Sequence, residues 1–223
     1  MYSAHGGTYT FKVLVTAGDE SAILEGTIVE KDLSETLAAL NLTDNHLLFS
    51  EESIAAVREA IMVEGSFKQK AWTVLEQYLA SAVKTGIPKY EAQSGNDSGA
   101  WQRHVSDRAM LLLVGYLITG DEQYKDRSLE TAAALASYPW WGEDEGDGEG
   151  FLTAAHNSFA LAMIYDWLKD DPDMTQEIKA DILKWLYYAS QRMFQERTER
   201  TWYMGNSHMI ALAALVTAAS ALY

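Results

Sequence analysis

The stretch "TWYMGNSHMIALAAL" (201–215) sets two aromatics, an Asn and a His ahead of a helix built almost wholly from small and apolar residues. An imidazole exchanges protons near neutral pH, and a carboxamide N–H can be aimed at developing negative charge. Held at the mouth of a helix-lined cleft, Asn206 and His208 would form a catalytic pair. The same residues also suit a plain helix start, with Asn206 or Ser207 capping free backbone N–H groups.

The elements that must position this pair are legible as periodic runs. Residues 7–29, "GTYTFKVLVTAGDESAILEGTIV", alternate apolar and polar side chains around the turn "AGDES" and read as a β-hairpin. From residue 50 onward strand patterns vanish. Helices are expected over roughly 50–63, 66–85, 101–119, 121–137, 151–170, 174–199 and 206–223. Ser50 is the N-cap of the first, with acids in its first turn; Gly86 and Pro88 stop the second, and Gly120-Asp121 divides the third from the fourth. The division is thus 1–31 as a β-hairpin segment, 32–49 as a linker and 50–223 as a helical domain.

Alternating short and long connections suggest stacked antiparallel helical hairpins. An α-solenoid and an incomplete α/α toroid both fit, but no self-similar repeat supports the solenoid. The last helix reaches Tyr223 on the apolar stretch "ALAALVTAASALY", so a further helical partner is expected to cover it, and the chain reads as a fragment.

Composition bounds the function. With 223 residues and 48% hydrophobic content the chain can bury a substantial core. Its 32 acidic against 17 basic residues give a net charge of −15, which opposes general binding to nucleic acid or an anionic membrane. No cysteine occurs, so there is neither a disulfide framework nor thiol chemistry. The longest apolar runs, such as "MLLLVGYLI" (110–118), are too short to span a bilayer, and no signal-peptide pattern follows Met1. In the acidic loop "GEDEGDGEG" (142–150), Glu143, Glu145 and Asp147 have the spacing of a calcium loop. The twelfth position, however, is Ala154, so a solvated loop without metal is expected.

Four stretches together carry a family resemblance: "HLLFSEESIAAVREAI" (46–61), "DRAMLLLVGYLITGDEQYKDRSLETAAALASYPWW" (107–141), "FLTAAHNSFALAMIYDWL" (151–168) and "WYMGNSHMIALAALVTAASAL" (202–222). In order and spacing they resemble the N-terminal α/α toroid domain of heparinase II/III-like and alginate-lyase-like polysaccharide lyases. The preceding "GGTYTFKVLVTAGDESA" is similar to the last strands of a fibronectin-III-like module. Two departures stand out: the usual His-Pro-Arg is here Asn45-His46-Leu47, and the double Asn before the His is here Asn206-Ser207.

The resemblance implies β-elimination on a uronic-acid-containing polysaccharide, without a cofactor, by a bacterial protein that is periplasmic or secreted. By position it gives Asn206 the neutralisation of the substrate carboxylate and His208 the proton transfer. It also places the acid or base Tyr and a closing β-sandwich beyond Tyr223, so residues 1–223 alone are expected to be inactive or incomplete as a catalyst, and Tyr203 is not offered as a substitute base but only as a neighbour of the substrate. A groove for an acidic sugar chain would draw on "WQRHVSDRAM", with Trp101 as a platform and Arg103, His104 and Arg108 as donors. An ion pair between Arg108 and Asp107 or a neighbouring acid is the alternative. Trp140 and Trp141 would stack on sugar rings or else pack in a corner, and His156 and Asn157 would line the groove or form a satisfied polar pair. Tyr165, Asp166 and Trp167 read as structural, with Asp166 accepting hydrogen bonds from a neighbouring hairpin.

Two other functions share these features. A helical-toroid glycoside hydrolase needs two carboxylates facing each other across the cleft, and no such pair is identifiable in the sequence. A non-catalytic carbohydrate-binding or interaction module needs neither a base nor an acid.

Overall fold

The computed structural model describes residues 7–17, 20–30, 46–90, 100–141, 150–199 and 206–222. The chain divides into two units, Met1–Asn45 and His46–Tyr223. In the first, β1 (Gly7–Ala17) and β2 (Glu20–Glu30) pair antiparallel in a register running from Gly7 opposite Glu30 to Ala17 opposite Glu20. Lys12 and Glu25 face each other across the ladder and form an ion pair, the favourable cross-strand combination. This is the hairpin that the alternation over 7–29 predicts.

The second unit holds seven helices among its described residues: α1 (Glu51–Ile61), α2 (Phe67–Lys84), α3 (Ala100–Thr119), α4 (Glu122–Ser137), α5 (Gly150–Leu168), α6 (Gln176–Glu199) and α7 (Asn206–Leu222). Their starts follow capping chemistry. Ser50 and Ser53 exchange side-chain and backbone hydrogen bonds in a capping box, Ser66 accepts from Gln69 N–H, and Asp121 accepts from Gln123 N–H. Between α3 and α4, Gly120 takes a positive φ of 71° while its N–H closes on the Tyr116 carbonyl, a conformation open to Gly at little cost. The connection is so short that α3 and α4, which pack against each other, form an antiparallel hairpin.

Packing partners sort the helices into two rows. In one, α1 meets α3, α3 meets α5 and α5 meets α7; in the other, α2 meets α4 and α4 meets α6. Sequential neighbours bridge the rows. A helix flanked on both sides within its row has little polar face left, and α5 shows it: Ala154, Ala155 and the whole run Ala160–Ile164 are buried. The main core runs from Ile54 to Ala218, with a smaller cluster of Leu79, Ala82 and Leu112 where α2 meets α3. There Gly115 lets α3 approach closely, for a Cβ at this position would fall 2.5 Å from Leu79 Cδ2. None of the described helices is long and apolar enough to cross a membrane.

Candidate functional site

Along the row of α3, α5 and α7 runs a trough made of two adjoining hollows. The first, of about 300 Å³, is lined by Ser106, Asp107 and Met110 of α3 and by His156, Phe159 and Ala160 of α5. The second, of about 260 Å³, is lined by Ala155, His156 and Phe159 of α5 and by Ile210 and Ala213 of α7. His156 and Phe159 are common to both, so the imidazole stands at the centre of the trough.

A carboxylate reaches that imidazole from the next helix: His156 Nδ1 lies 3.5 Å from Asp107 Oδ1, with both side chains partly open to solvent. The separation is longer than a strong hydrogen bond, and such contacts tighten when a ligand excludes water. Beside it the hydroxyl of Ser106 is engaged, donating to the Arg103 carbonyl. Asp107 is the carboxylate within ion-pair range of His156. The alternative pairing of Asp107 with Arg108 is not what forms: the Arg108 guanidinium donates to the Gly86 carbonyl. Burial and the neighbouring Arg127 guanidinium lower the Arg108 pKa, while Tyr138 acts in the opposite sense. Arg127 also donates to the Thr85 carbonyl, so two guanidiniums cap the C-terminal end of α2.

The other residues singled out from sequence scatter. Asn157, one residue from His156 and so about 100° around the helix, is fully buried and donates to Gln102 Oε1. Gln102 in turn donates to the Trp140 carbonyl, a relay that ties α5, α3 and the segment after α4 together. Trp141 is enclosed in the core, stacked on Trp185 at 4.5 Å between ring centroids and donating from Nε1 to the Leu135 carbonyl. Its ring offers no open face for a sugar. Trp140 is half-buried beside it. Trp101 packs against Tyr90 and Tyr138, and the Tyr138 hydroxyl, its pKa raised by burial, donates to the Pro88 carbonyl. His104 is exposed on α3. Asn206 and His208 lie in the first turn of α7, while their side chains, Tyr203 and the acidic loop 142–149 fall outside the described residues.

At the opposite end of α5 the structure adds a second polar assembly. Asp166 accepts from the Leu47 N–H at 2.9 Å and lies 3.1 Å from His46 Nδ1, whose ring stacks on Trp167 at 3.4 Å. The partner of Asp166 is thus the segment leading into α1, not a neighbouring hairpin. A cavity of about 380 Å³ opens beside it, with Glu51, Arg58, Tyr116, Glu122 and Asp171 in its walls. Close by, the buried ammonium of Lys125 is held by Glu122, Asp171 and Asp173, and these carboxylates keep its pKa well above that of an ordinary lysine. Oxygens of Glu122, Asp126 and Asp173 lie within 4.8 Å of one another, a spacing that could hold a cation. Lys125 already neutralises two of the three.

The sequence singled out His156 but not its partner. Asp107 and His156 are far apart in the chain, and the signal that relates them is the α3–α5 packing, which no local pattern encodes. No protein-family model matches the chain, and no curated protein is significantly similar to it.

Proposed function

We propose that residues 46–223 are the cleft-bearing helical part of a polysaccharide lyase that acts by β-elimination on a uronic-acid-containing polysaccharide outside the cytoplasm. In this reading the two rows of helices are an arc of an α/α toroid, with the row α1, α3, α5 and α7 turned toward the substrate. The observation that carries the reading is the trough itself. It is built from three helices of that row, has an imidazole–carboxylate pair at its centre, and is bordered by the helix that begins at Asn206.

The chemistry asks for these groups. The C5 proton of a uronate lies next to an ionised carboxylate and is very weakly acidic, so donors must first meet the charge that develops there. Asn206 would supply one such donor. A base with an ordinary pKa near neutrality then removes the proton, the role that the resemblance gives to His208. Because the protein is strongly acidic overall, a polyanion must be drawn in by local cations. Arg103, one turn before Asp107 on α3, is placed for this.

The test is incubation with alginate, heparan and chondroitin, read by the ultraviolet absorbance of the unsaturated ends that elimination produces. Asn206→Asp keeps size and capping ability but sets a carboxylate against the substrate's own. The expected loss is on the order of 10²-fold in turnover with an unchanged melting temperature. Near-normal turnover of that variant returns Asn206 to a helix cap. Chain cleavage without absorbance identifies a hydrolase instead, and binding of uronate oligosaccharides without cleavage identifies a non-catalytic module.

A further inference from the structure

We propose that His156 is a catalytic residue of the trough, the base that takes the C5 proton, and that Asp107 is the residue that positions it. The inference rests on the uronate-lyase reading and deepens it by assigning the proton carrier to a different side chain from the one the resemblance names.

Three observations converge. His156 is the imidazole that lines both hollows, so a ring bound across α3, α5 and α7 must pass over it. Its Nδ1 faces Asp107 Oδ1, and a carboxylate there holds the proton on Nδ1 and leaves Nε2 as the free acceptor. Phe159 and Met110 supply apolar walls beside it, which lower the local dielectric once a substrate covers the site.

The step balances on one imidazole. The C5–H bond breaks and its proton goes to His156 Nε2. The electron pair left on carbon forms the C4=C5 bond as the C4–O4 bond breaks, and the imidazolium returns a proton to the departing O4 on the same face of the ring. Asp107 stays ionised throughout and stabilises the transient imidazolium. General-base assistance of this kind contributes on the order of 10²–10⁴-fold.

The experiment has two parts on the full-length protein, with any sequence past Tyr223 included. Nitrogen-15 NMR of the histidine side chains reads the tautomer without any substrate: neutral His156 is expected to carry its proton on Nδ1 and to shift toward the Nε2–H form in Asp107→Asn. The elimination assay uses 4-linked polymannuronate and polyglucuronate, whose C5–H and C4–O4 bonds share a face. His156→Gln is expected to lower kcat by about 10²-fold or more with KM and melting temperature unchanged, and Asp107→Asn to lower kcat by roughly 10-fold. An Nε2–H tautomer in the unmodified protein overturns the proposal. So does a His156→Gln protein that keeps a third or more of its turnover while His208→Gln loses it, a result that leaves the lyase reading standing. If neither polymer is eliminated by the unmodified protein, the lyase reading falls for these substrates and His156 loses its catalytic assignment with it. The tautomer then reports on the Asp107 pairing alone.

Discussion

Replacement of Asp166 tests whether the polar assembly at the end of α5 anchors the leading segment of the helical unit. Its Oδ2 accepts from the Leu47 N–H at 2.9 Å and faces His46 Nδ1 at 3.1 Å, with 11% of the Asp166 side chain and 25% of the His46 side chain exposed. Hydrogen bonds to a charged acceptor contribute about 1.5–3 kcal/mol each, and the residual exposure places both at the low end. Asp166→Ala therefore removes about 3 kcal/mol, and it also frees His46 from its stack on Trp167. For a unit of this size each kcal/mol moves the melting temperature by about 2–4 °C, which gives a drop of roughly 6–12 °C. Asp166→Asn keeps an acceptor for Leu47 but loses the charge, so a loss of about 1 kcal/mol is expected. Thermal denaturation followed by near-ultraviolet circular dichroism reads both the melt and the Trp167 environment. A cycle with His46→Ala should show a coupling of about 0.5 kcal/mol or more. An Asp166→Ala protein that melts within about 1 °C of the parent, or strict additivity in the cycle, would refute the anchor.

Lys125→Met should lose about 2 kcal/mol: it leaves Asp171 without its counter-charge in a nearly buried site, while Glu122 and Asp173 are exposed enough to be rescued by water. Because the carboxylates raise the Lys125 pKa, its contribution is complete below the ordinary lysine value near 10.4 and fades as pH rises through the higher folded-state value. The melting-temperature gap between parent and variant should therefore hold through neutral pH and close only in strongly alkaline solution. Gly115→Ala should cost about 1–3 kcal/mol in denaturant titration, because the new methyl meets the fully buried Leu79 at 2.5 Å and Tyr124 at 3.2 Å. Gly86→Ala, whose Cβ meets nothing within 4 Å, should leave the midpoint unchanged.

Local chemistry made the helix ends legible. Ser50, Asp121 and Gly120 are capping and stopping residues whose side chains or φ values do locally what their types suggest, and each marks a boundary in the structure. The rows were not legible, because α5 and α7 are apolar on nearly every side and so carry no stripe that names a partner. Row contacts join helices two apart in the chain, and only packed volume decides them. The place of Trp141 was not legible for a related reason. A Trp that can stack on a ligand can equally stack on another Trp, and Trp185 claims the Trp141 ring.

The pair His156-Asn157 shows how a core contact can aim a site residue. In sequence the two are equivalent polar neighbours, and one turn of reasoning about amphipathicity cannot separate them. In the structure Asn157 is locked inside by Gln102, and Gln102 by the Trp140 carbonyl, so the relay fixes the rotation of α5 about its own axis. With Asn157 pointed inward, the adjacent side chain must emerge about 100° away, which is where Asp107 and both hollows meet it. An apolar residue at 157 would deprive Gln102 Oε1 of its donor in a fully buried site and untie α5 from α3, although Asn157 Oδ1 itself accepts no hydrogen bond among the described residues. The buried polar relay thus does for the trough what no residue lining it can do, since lining residues are free to turn with their helix and the relay holds that helix still.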